Sequence, residues 1–194
     1  MARLQARLAD VRSGSDTAEA AAEADALAKA VGGMAAVGFP LDLDLAPVDL
    51  RLLAYDVLAR FRDEIAARGV SCEVALDASV KPVSADRLKL RAAIVEVVRN
   101  ALDALPEQGG RLGLRVIAGQ DSSEVRLEVA DSGKGMDAEL IDRVLAFDPF
   151  DGTSQPHVGL SLSRAVAEAH GGSLTVFSEP GRVAVVRFSL PASA

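Results

Sequence analysis

The chain has 194 residues, of which 49% are hydrophobic and 25% charged, which is typical of a globular protein with one well-filled core. A net charge of −7 excludes broad binding to nucleic acid, which needs clustered Lys and Arg. One cysteine excludes an internal disulfide, two histidines leave too few ligands for a structural zinc site, and no apolar run is long enough to cross a membrane. We therefore expect a cytoplasmic chain that itself has no membrane contact, in a parent protein with or without a membrane anchor.

The N-terminal segment, residues 1–39, predicts a helical hairpin. Leu4 and Leu8 recur at helical spacing before a Ser-Gly-Ser break, and Asp16 with Glu19 forms a capping-box pattern at the start of a second, alanine-rich helix. A hairpin this short buries little surface alone. We therefore predict that two copies join as a four-helix bundle in a homodimer, with a loosely packed tail as the alternative.

Residues 40–47 predict a linker that ends the hairpin. Within it, residues 41–45 alternate apolar and acidic side chains, which predicts a short strand. After the linker, Asp49 is expected to cap a helix and Gly69 to end it. The apolar residues of that helix are spaced by four: Leu53, Val57, Phe61 and Ile65.

A long apolar helix is predicted from Arg87 to Leu105. At 3.6 residues per turn, Glu96, Asn100 and Asp103 lie along one stripe of it. An unpartnered buried amide or carboxylate costs several kcal/mol, so this polar seam must be paired, solvated or bound to a ligand. Apolar residues cover most of the remaining surface: Leu88, Leu90, Ile94, Val95, Val97, Val98, Ala101, Leu102 and Leu105.

The other elements predict an α+β fold. Residues 72–76 alternate as a half-buried strand does, and two further alternating segments joined by residues 118–123 predict a hairpin. We expect a two-layer sandwich over residues 48–194, with about three helices on one face of a mixed sheet. The later elements are a short helix at 137–145, an irregular segment at 146–157, a helix at 158–169 and a hairpin of 174–177 with 183–190.

Four features carry candidate chemistry, one of which is the pair of aromatic residues at 147 and 150 in a predicted loop, whose structural role would be a small satellite core. Glu96 and Asn100, one turn apart, offer the oxygen ligands that a hydrated Mg²⁺ prefers, although each alone is more often structural. Asp131 ends a strand before Gly133 and Gly135; the pattern suits a plain turn, or a pocket whose backbone approaches a flat ligand closely. Gly159 opens a helix whose free N–H groups favour a phosphate.

In their order and spacing these motifs resemble the ATP-binding domain of sensor histidine kinases, within the superfamily that includes gyrase, Hsp90 and MutL. The resemblance covers roughly residues 48–190 and is carried by the Glu96 to Asp103 segment and the Asp131 to Met136 loop. A Phe-Asp-Pro-Phe box at 147–150 favours the kinase branch.

The resemblance implies ATP and Mg²⁺ as cofactors. Asn100 would coordinate the Mg²⁺ that bridges the phosphates, Glu96 would be the polarising or basic catalytic residue, and Asp131 would accept a hydrogen bond from the adenine amino group. Residues 146–158 would form a lid. Further residues expected to contact the nucleotide are Asp103, Gly133, Gly135, Met136, Gly159 and Leu160.

The sequence departs from the family pattern at two places. The lid usually ends in Gly-x-Gly-x-Gly, but residues 155–159 are Gln-Pro-His-Val-Gly, so the phosphate contacts are expected to differ. The acceptor histidine precedes a leucine-rich segment that resembles residues 2–8, and no histidine occurs before His157. We therefore expect the chain to be a fragment or a shortened form, with His170 a helix-end residue that satisfies carbonyls.

These observations favour a catalytic module that passes the γ-phosphoryl group of ATP to a histidine outside this chain, with a response regulator receiver domain as the next partner. The alternative is a degenerate scaffold that dimerises or docks a response regulator without catalysis. An anti-sigma-type serine kinase is a third hypothesis, which the predicted N-terminal hairpin disfavours.

Overall fold

Helices cover the inward face of a five-stranded mixed sheet. The computed structural model describes residues 42–119, 123–146 and 158–193. The predicted N-terminal hairpin and the lid residues 147–157 lie outside the described residues. The helices of the described part are α1 (Leu50–Ala67), α2 (Arg87–Ala104), α3 (Ala138–Leu145) and α4 (Val158–Ala169). The strands are β1 (Ala46–Val48), β2 (Ser71–Leu76), β3 (Val83–Ala85), β4 (Arg111–Ala118), β5 (Glu124–Asp131), β6 (Ser173–Phe177) and β7 (Ala184–Pro191).

The sheet has the strand order β2-β4-β5-β7-β6, in which β2 and β4 are parallel and the other neighbours antiparallel. Strands β1 and β3 form a separate antiparallel ribbon. Because side chains alternate along a strand, every second residue of the central strands enters one core with the helices. The predicted α+β sandwich with a mixed sheet is confirmed. The inward residues include Leu112, Leu114, Val116, Val125, Leu127, Val129, Val186, Phe188 and Leu190.

Helix α1 follows the prediction, whereas the strand expected before it does not. The Asp49 side chain accepts the Arg51 N–H at 2.9 Å at the start of α1, and Gly69, with φ 62°, follows its end. The strand predicted at 41–45 is wrong over its described part, because residues 42–45 form no regular structure. The strand begins instead at Ala46, where pairing with β3 fixes the register.

The prediction that β2 is half-buried is also wrong. All its residues are exposed or partly exposed, and 41% of the surface of Val74 is accessible to solvent. The physical reason is position. Strand β2 lies at the edge of the sheet, where one neighbouring strand pairs with it and few helix residues reach over it.

Helix α2 is the buried helix that the sequence predicted. Asp86 caps it by accepting two backbone N–H groups, and a stripe that includes Leu90, Ile94 and Val97 is buried. The prediction that Leu88 belongs to the buried surface of this helix is wrong. Leu88 is 77% exposed, because a step of two residues turns its side chain about 200° away from the buried Leu90. Across the described ranges, no helix combines the length and apolar character needed to span a bilayer.

Candidate functional site

Glu96 and Asn100 lie one turn apart in the C-terminal half of α2. Both are half-buried, whereas the adjacent Val95, Val97 and Val98 are buried. Within the described part of the chain, neither polar side chain has a hydrogen-bond or ion-pair partner. Since polar groups in such surroundings are usually paired, their unused donors and acceptors are available to a ligand.

The N-terminus of α4 lies against this pair. A Cβ placed at Gly159 would be 3.1 Å from Glu96 Oε2 and 3.3 Å from Asn100 Nδ2, so the absence of a side chain lets the helix approach both. The first backbone N–H groups of a helix have no acceptor within it. A carboxylate, an amide and a helix N-terminus therefore meet at one point, although the residues come from segments about 60 positions apart.

Leu160 and Asp103 occupy other surroundings on the same two helices. Leu160 is 4% exposed and packs in the core, so only its backbone is left to contact a ligand. Asp103 lies further along α2 and is exposed. Their predicted nucleotide contacts stay predictions.

Asp131, the last residue of β5, is a buried carboxylate with 6% exposure. One oxygen, Oδ1, accepts the Gly133 N–H at 2.8 Å. The other, Oδ2, has no partner among the described residues. Burial raises the pKa of this carboxyl above its ordinary value of 3.8, and the Gly133 N–H opposes that shift only in part. Asp131 therefore retains a free acceptor in a place that water reaches poorly.

The loop after Asp131 is held by the turn between β6 and β7. The Met136 N–H donates to Ser178 Oγ at 2.8 Å, and Lys134 O accepts the Gly181 N–H at 2.7 Å. Gly135 has φ 67°, and a Cβ there would lie 2.0 Å from Glu179 O. Only glycine fits such a left-handed, crowded position, and the predicted role of Gly135 beside a nucleotide stays a prediction.

The loop also packs on the end of α2. A Cβ at Gly133 would lie 2.5 Å from Ala104 O, so the two backbones are in close contact. Asn100 precedes Ala104 by four residues, or about 6 Å along the helix axis. The structure thus brings the Asp131 loop to the same end of α2 as the pair formed by Glu96 and Asn100.

Asn100 and Glu96 could hold a metal ion only if a bound ligand supplied further metal ligands. In residues 42–119, 123–146 and 158–193, no group of three or more His, Cys, Asp or Glu side chains is placed to hold a metal ion. One amide and one carboxylate are too few for an all-protein site, but Mg²⁺ usually takes one or two protein ligands with waters and phosphate oxygens. Asn100 and Glu96 are consistent with that arrangement.

An open cavity lies beside the Asp131 loop and apart from Glu96 and Asn100. It measures about 890 Å³ and lies beside the β6–β7 turn, with Arg111, Phe177 and Arg182 in its wall. Neither Glu96 nor Asn100 lines it. A smaller cavity of about 290 Å³ touches Asp131 from the strand ends. Because volume alone carries no chemistry, we place the site where unpartnered polar groups converge.

The sequence of this chain matches a known protein family. The model for histidine kinase-, DNA gyrase B- and HSP90-like ATPases matches residues 85–194, more than half of the chain. The chain belongs to this ATPase family. Its relatives and structural neighbours place it with the ATP-binding catalytic domains of histidine kinases, as the motifs indicated.

Among its relatives, the sensor histidine kinase ZraS of Klebsiella oxytoca is 30% identical over 88% of this chain and 37% of the relative. Full-length ShkA in complex with AMPPNP has a TM-score of 0.72 and 27% identity, over 86% of this chain and 35% of that one. The catalytic domain of histidine kinase ThkA has a TM-score of 0.69 and 24% identity, over 78% and 99% of the two chains. The chain spans little more than a third of the first curated relatives. Its kinship is with ATP-binding kinase modules.

Sequence reasoning missed the residues that hold these groups in place. Ser178 and Ser163 carry no pattern of their own, and the carbonyl of Ala104 is invisible in a sequence. One signal was available. Asp86 stands directly before the long apolar helix, where an N-cap is expected. His170 was identified only as a helix-end residue.

Proposed function

We propose that this chain binds Mg-ATP and transfers the γ-phosphoryl group to a histidine outside it, as the catalytic module of a sensor histidine kinase. The observation that supports this most directly is the meeting of Glu96 and Asn100, both unpartnered among the described residues, with the α4 N-terminus at Gly159. Phosphoryl transfer depends mostly on positioning and electrostatic stabilisation, and these groups can supply both.

Asp131 and its loop would bind the adenine base, and we call this part of the site the base side. With Oδ1 bonded to the Gly133 N–H, Oδ2 is the oxygen left to accept a hydrogen bond from the adenine amino group. A hydrogen bond to a charged acceptor in a water-poor place is stronger than one at the surface. Gly133, Gly135 and Met136 would keep the backbone flat beside the ring. The same site should reject a purine with a carbonyl at that position.

The phosphate side would be the α4 N-terminus with Asn100 and Glu96. The free N–H groups and dipole of α4 attract anionic oxygens, and Gly159 leaves room for them. Mg²⁺, held by Asn100 together with the phosphates, would supply positive charge that offsets the charge on the transferring group. Glu96 would polarise the attacking group or accept its proton. Asp103 and Leu160 would border the phosphates.

The acceptor would be supplied by another chain or by a longer form of this one. The P–O bond to the leaving ADP breaks while a P–N bond to the acceptor imidazole forms. His170 is a poor acceptor because it is buried and both ring nitrogens have backbone partners. We therefore expect no autophosphorylation of this chain alone.

The partners and domain limits belong to the same proposal. Residues 1–39 would form a dimerising hairpin, 40–47 a linker and 48–194 the catalytic domain, in a cytoplasmic location. A response regulator receiver domain would take the phosphoryl group from the acceptor histidine. The complex of ThkA with response regulator TrrA, a structural neighbour with a TM-score of 0.72 and 21% identity over 88% of this chain and 48% of that one, shows such a pair for that kinase.

The second candidate function is a non-catalytic scaffold of the same fold. The glycine-poor run at 155–158 favours it. The retention of Asn100 and Asp131 favours catalysis, because a scaffold has no physical need for a metal ligand and a base anchor together. Nucleotide binding separates the two functions.

Calorimetric titration with ATP, with and without Mg²⁺, tests the proposal on Asp131→Asn and Asn100→Ala. In Asp131→Asn the amide oxygen still accepts the hydrogen bond from the Gly133 N–H, so the NH₂ group takes the place of Oδ2. Two hydrogen-bond donors, this NH₂ group and the adenine amino group, then face each other. We expect affinity to fall at least about 100-fold with the fold retained. Asn100→Ala should remove only the Mg²⁺-dependent part.

Asp137→Asn is the matched control, since that exposed residue lies six positions along the same loop and caps α3. It should bind ATP as the wild type does. Absence of heat and of competition at millimolar nucleotide in the wild type would refute the catalytic module and favour the scaffold.

A further inference from the structure

Helices α2 and α4 are antiparallel and touch at three points along their length. At one end Gly159 meets Glu96 and Asn100. In the middle, Ser163 Oγ lies 3.1 Å from Ala93 O, although the single hydroxyl proton has a closer acceptor in Gly159 O of its own helix, at 2.6 Å. At the other end, the buried His170 ring accepts the Asp86 backbone N–H at 2.9 Å. The seven-residue step from 163 to 170 on one helix matches the step from 93 to 86 on the other.

The partners of His170 fix its tautomer. Nδ1 lies 2.7 Å from Val166 O, and a carbonyl can only accept, so Nδ1 carries the proton. Nε2 is therefore bare and accepts from Asp86, whose N–H can only donate. The ring is 7% exposed and has no bond to spare. A helix-end histidine that only satisfied carbonyls would need the first of these contacts but not the second.

We propose that His170 is a positioning residue for the phosphate side of the site. It sets the register of α4 against α2 and so determines where Gly159 lies relative to Glu96 and Asn100. The proposal rests on the proposed nucleotide-binding function.

Register needs a directional contact in addition to apolar packing. Leu162, Val166 and Ala167 of α4 are buried and would hold the helix on the core without His170. Apolar burial, however, is non-directional, whereas a hydrogen bond weakens steeply as its geometry departs from linear. A Cβ at 159 would have only 3.1 to 3.3 Å to the two polar side chains, so a small slide changes that end of the site.

Two amide substitutions separate the two bonds of the ring. In His170→Gln the side-chain oxygen reaches the place of Nε2 and can still accept from Asp86. In His170→Asn the shorter side chain can donate to Val166 O but does not reach Asp86. We expect His170→Asn to weaken binding of AMPPNP with Mg²⁺ by about tenfold while adenosine binding changes less than about twofold, and His170→Gln to restore most of the loss.

Val125→Ala is the control for stability alone, because it removes buried methyl groups from β5 at the strand end opposite Asp131. It should lower the melting temperature and leave the ratio of AMPPNP to adenosine affinity unchanged. Amide hydrogen exchange at Asp86, followed by NMR, should speed up in His170→Asn but not in His170→Gln.

An unchanged ratio in His170→Asn, or an equal change in Val125→Ala, would overturn the positioning role while leaving nucleotide binding intact. Equal behaviour of the Gln and Asn variants would do the same, because the bond to Asp86 would then not matter. A wild-type chain that binds neither AMPPNP nor adenosine would overturn the proposed function and this role with it.

Discussion

The two sides of the proposed site are built in different ways. The loop from Asp131 to Met136 is fixed by hydrogen bonds to itself and to the β6–β7 turn. Glu96 and Asn100, by contrast, have no polar partner among the described residues, and their place depends on the packing of two helices. One side is preorganised by its own contacts, and the other leaves its polar groups without a partner in the described part of the chain.

This difference predicts separate responses to change. A preorganised loop loses little entropy when a ligand binds, so the base side should set specificity. Glu96 and Asn100, which have no polar partner among the described residues, can gain partners from a ligand, so the phosphate side should set the dependence on Mg²⁺. A substitution on one side should therefore leave the function of the other largely intact.

The largest loss of stability and of adenosine binding is expected from a substitution at Gly135. Alanine at φ 67° costs about 1–2 kcal/mol of backbone strain, and its Cβ would lie 2.0 Å from Glu179 O, so the loop must move as well. We expect Gly135→Ala to lower the free energy of unfolding by more than about 2 kcal/mol and to abolish adenosine binding. Urea unfolding and titration with adenosine measure the two effects.

Gly181 offers a control in the turn that holds the loop. It has a similar φ of 73°, but a Cβ there meets nothing within 4 Å. Gly181→Ala should cost only the strain, about 1 kcal/mol, and change adenosine affinity by less than about twofold. If both variants lost adenosine binding equally, backbone strain and not the contact with Glu179 would explain the result.

A smaller and more selective effect is expected at Gly159. Its Cβ would crowd Glu96 and Asn100 at 3.1 and 3.3 Å, close enough to displace them slightly. We expect Gly159→Ala to weaken binding of ATP with Mg²⁺ about tenfold, or about 1.4 kcal/mol, with adenosine affinity unchanged. Because alanine favours helix, the free energy of unfolding should stay the same or rise by up to about 1 kcal/mol.

These opposite signs make the result easy to interpret. Lower affinity with equal or higher stability would locate the effect in the site and not in the fold. Equal losses for ATP and adenosine would contradict the division into two sides. Calorimetry with both ligands, on a variant whose melting temperature is known, distinguishes the outcomes.

The sequence predicted the elements that carry a periodic pattern. The apolar stripe of α2, the alternation in β4 and β5 and the stop at Gly69 each reflect local physics, and each is confirmed. The loop that follows Asp131 and its glycines could be identified for the same reason, since turn chemistry is local.

What the sequence did not predict depends on partners far along the chain. Strand β1 begins at Ala46 because Ala85 pairs with it, and Val74 is exposed because its strand is at an edge. The bond between His170 and Asp86 joins residues 84 positions apart. Periodicity contains no information on such contacts, so the residues that hold the site in place can be identified only from the folded structure.

The smallest effect on the site is expected at Asp86, which lies at the far end of α2 and tests general stability. Burial alone would raise the pKa of its carboxyl, but bonds from the Lys89 backbone and ammonium and from the Asp44 N–H lower it from 3.8 to about 2. The carboxylate therefore stabilises the fold above about pH 4, and this contribution is lost as pH falls towards 2. Asp86→Asn, which keeps its backbone N–H for His170, should cost about 1–2 kcal/mol at pH 7. The difference from wild type in urea unfolding should shrink below pH 4, with both ligand affinities unchanged at pH 7. A difference that stayed constant from pH 7 to 3 would show that packing at the helix start, and not the charge, carries the contribution.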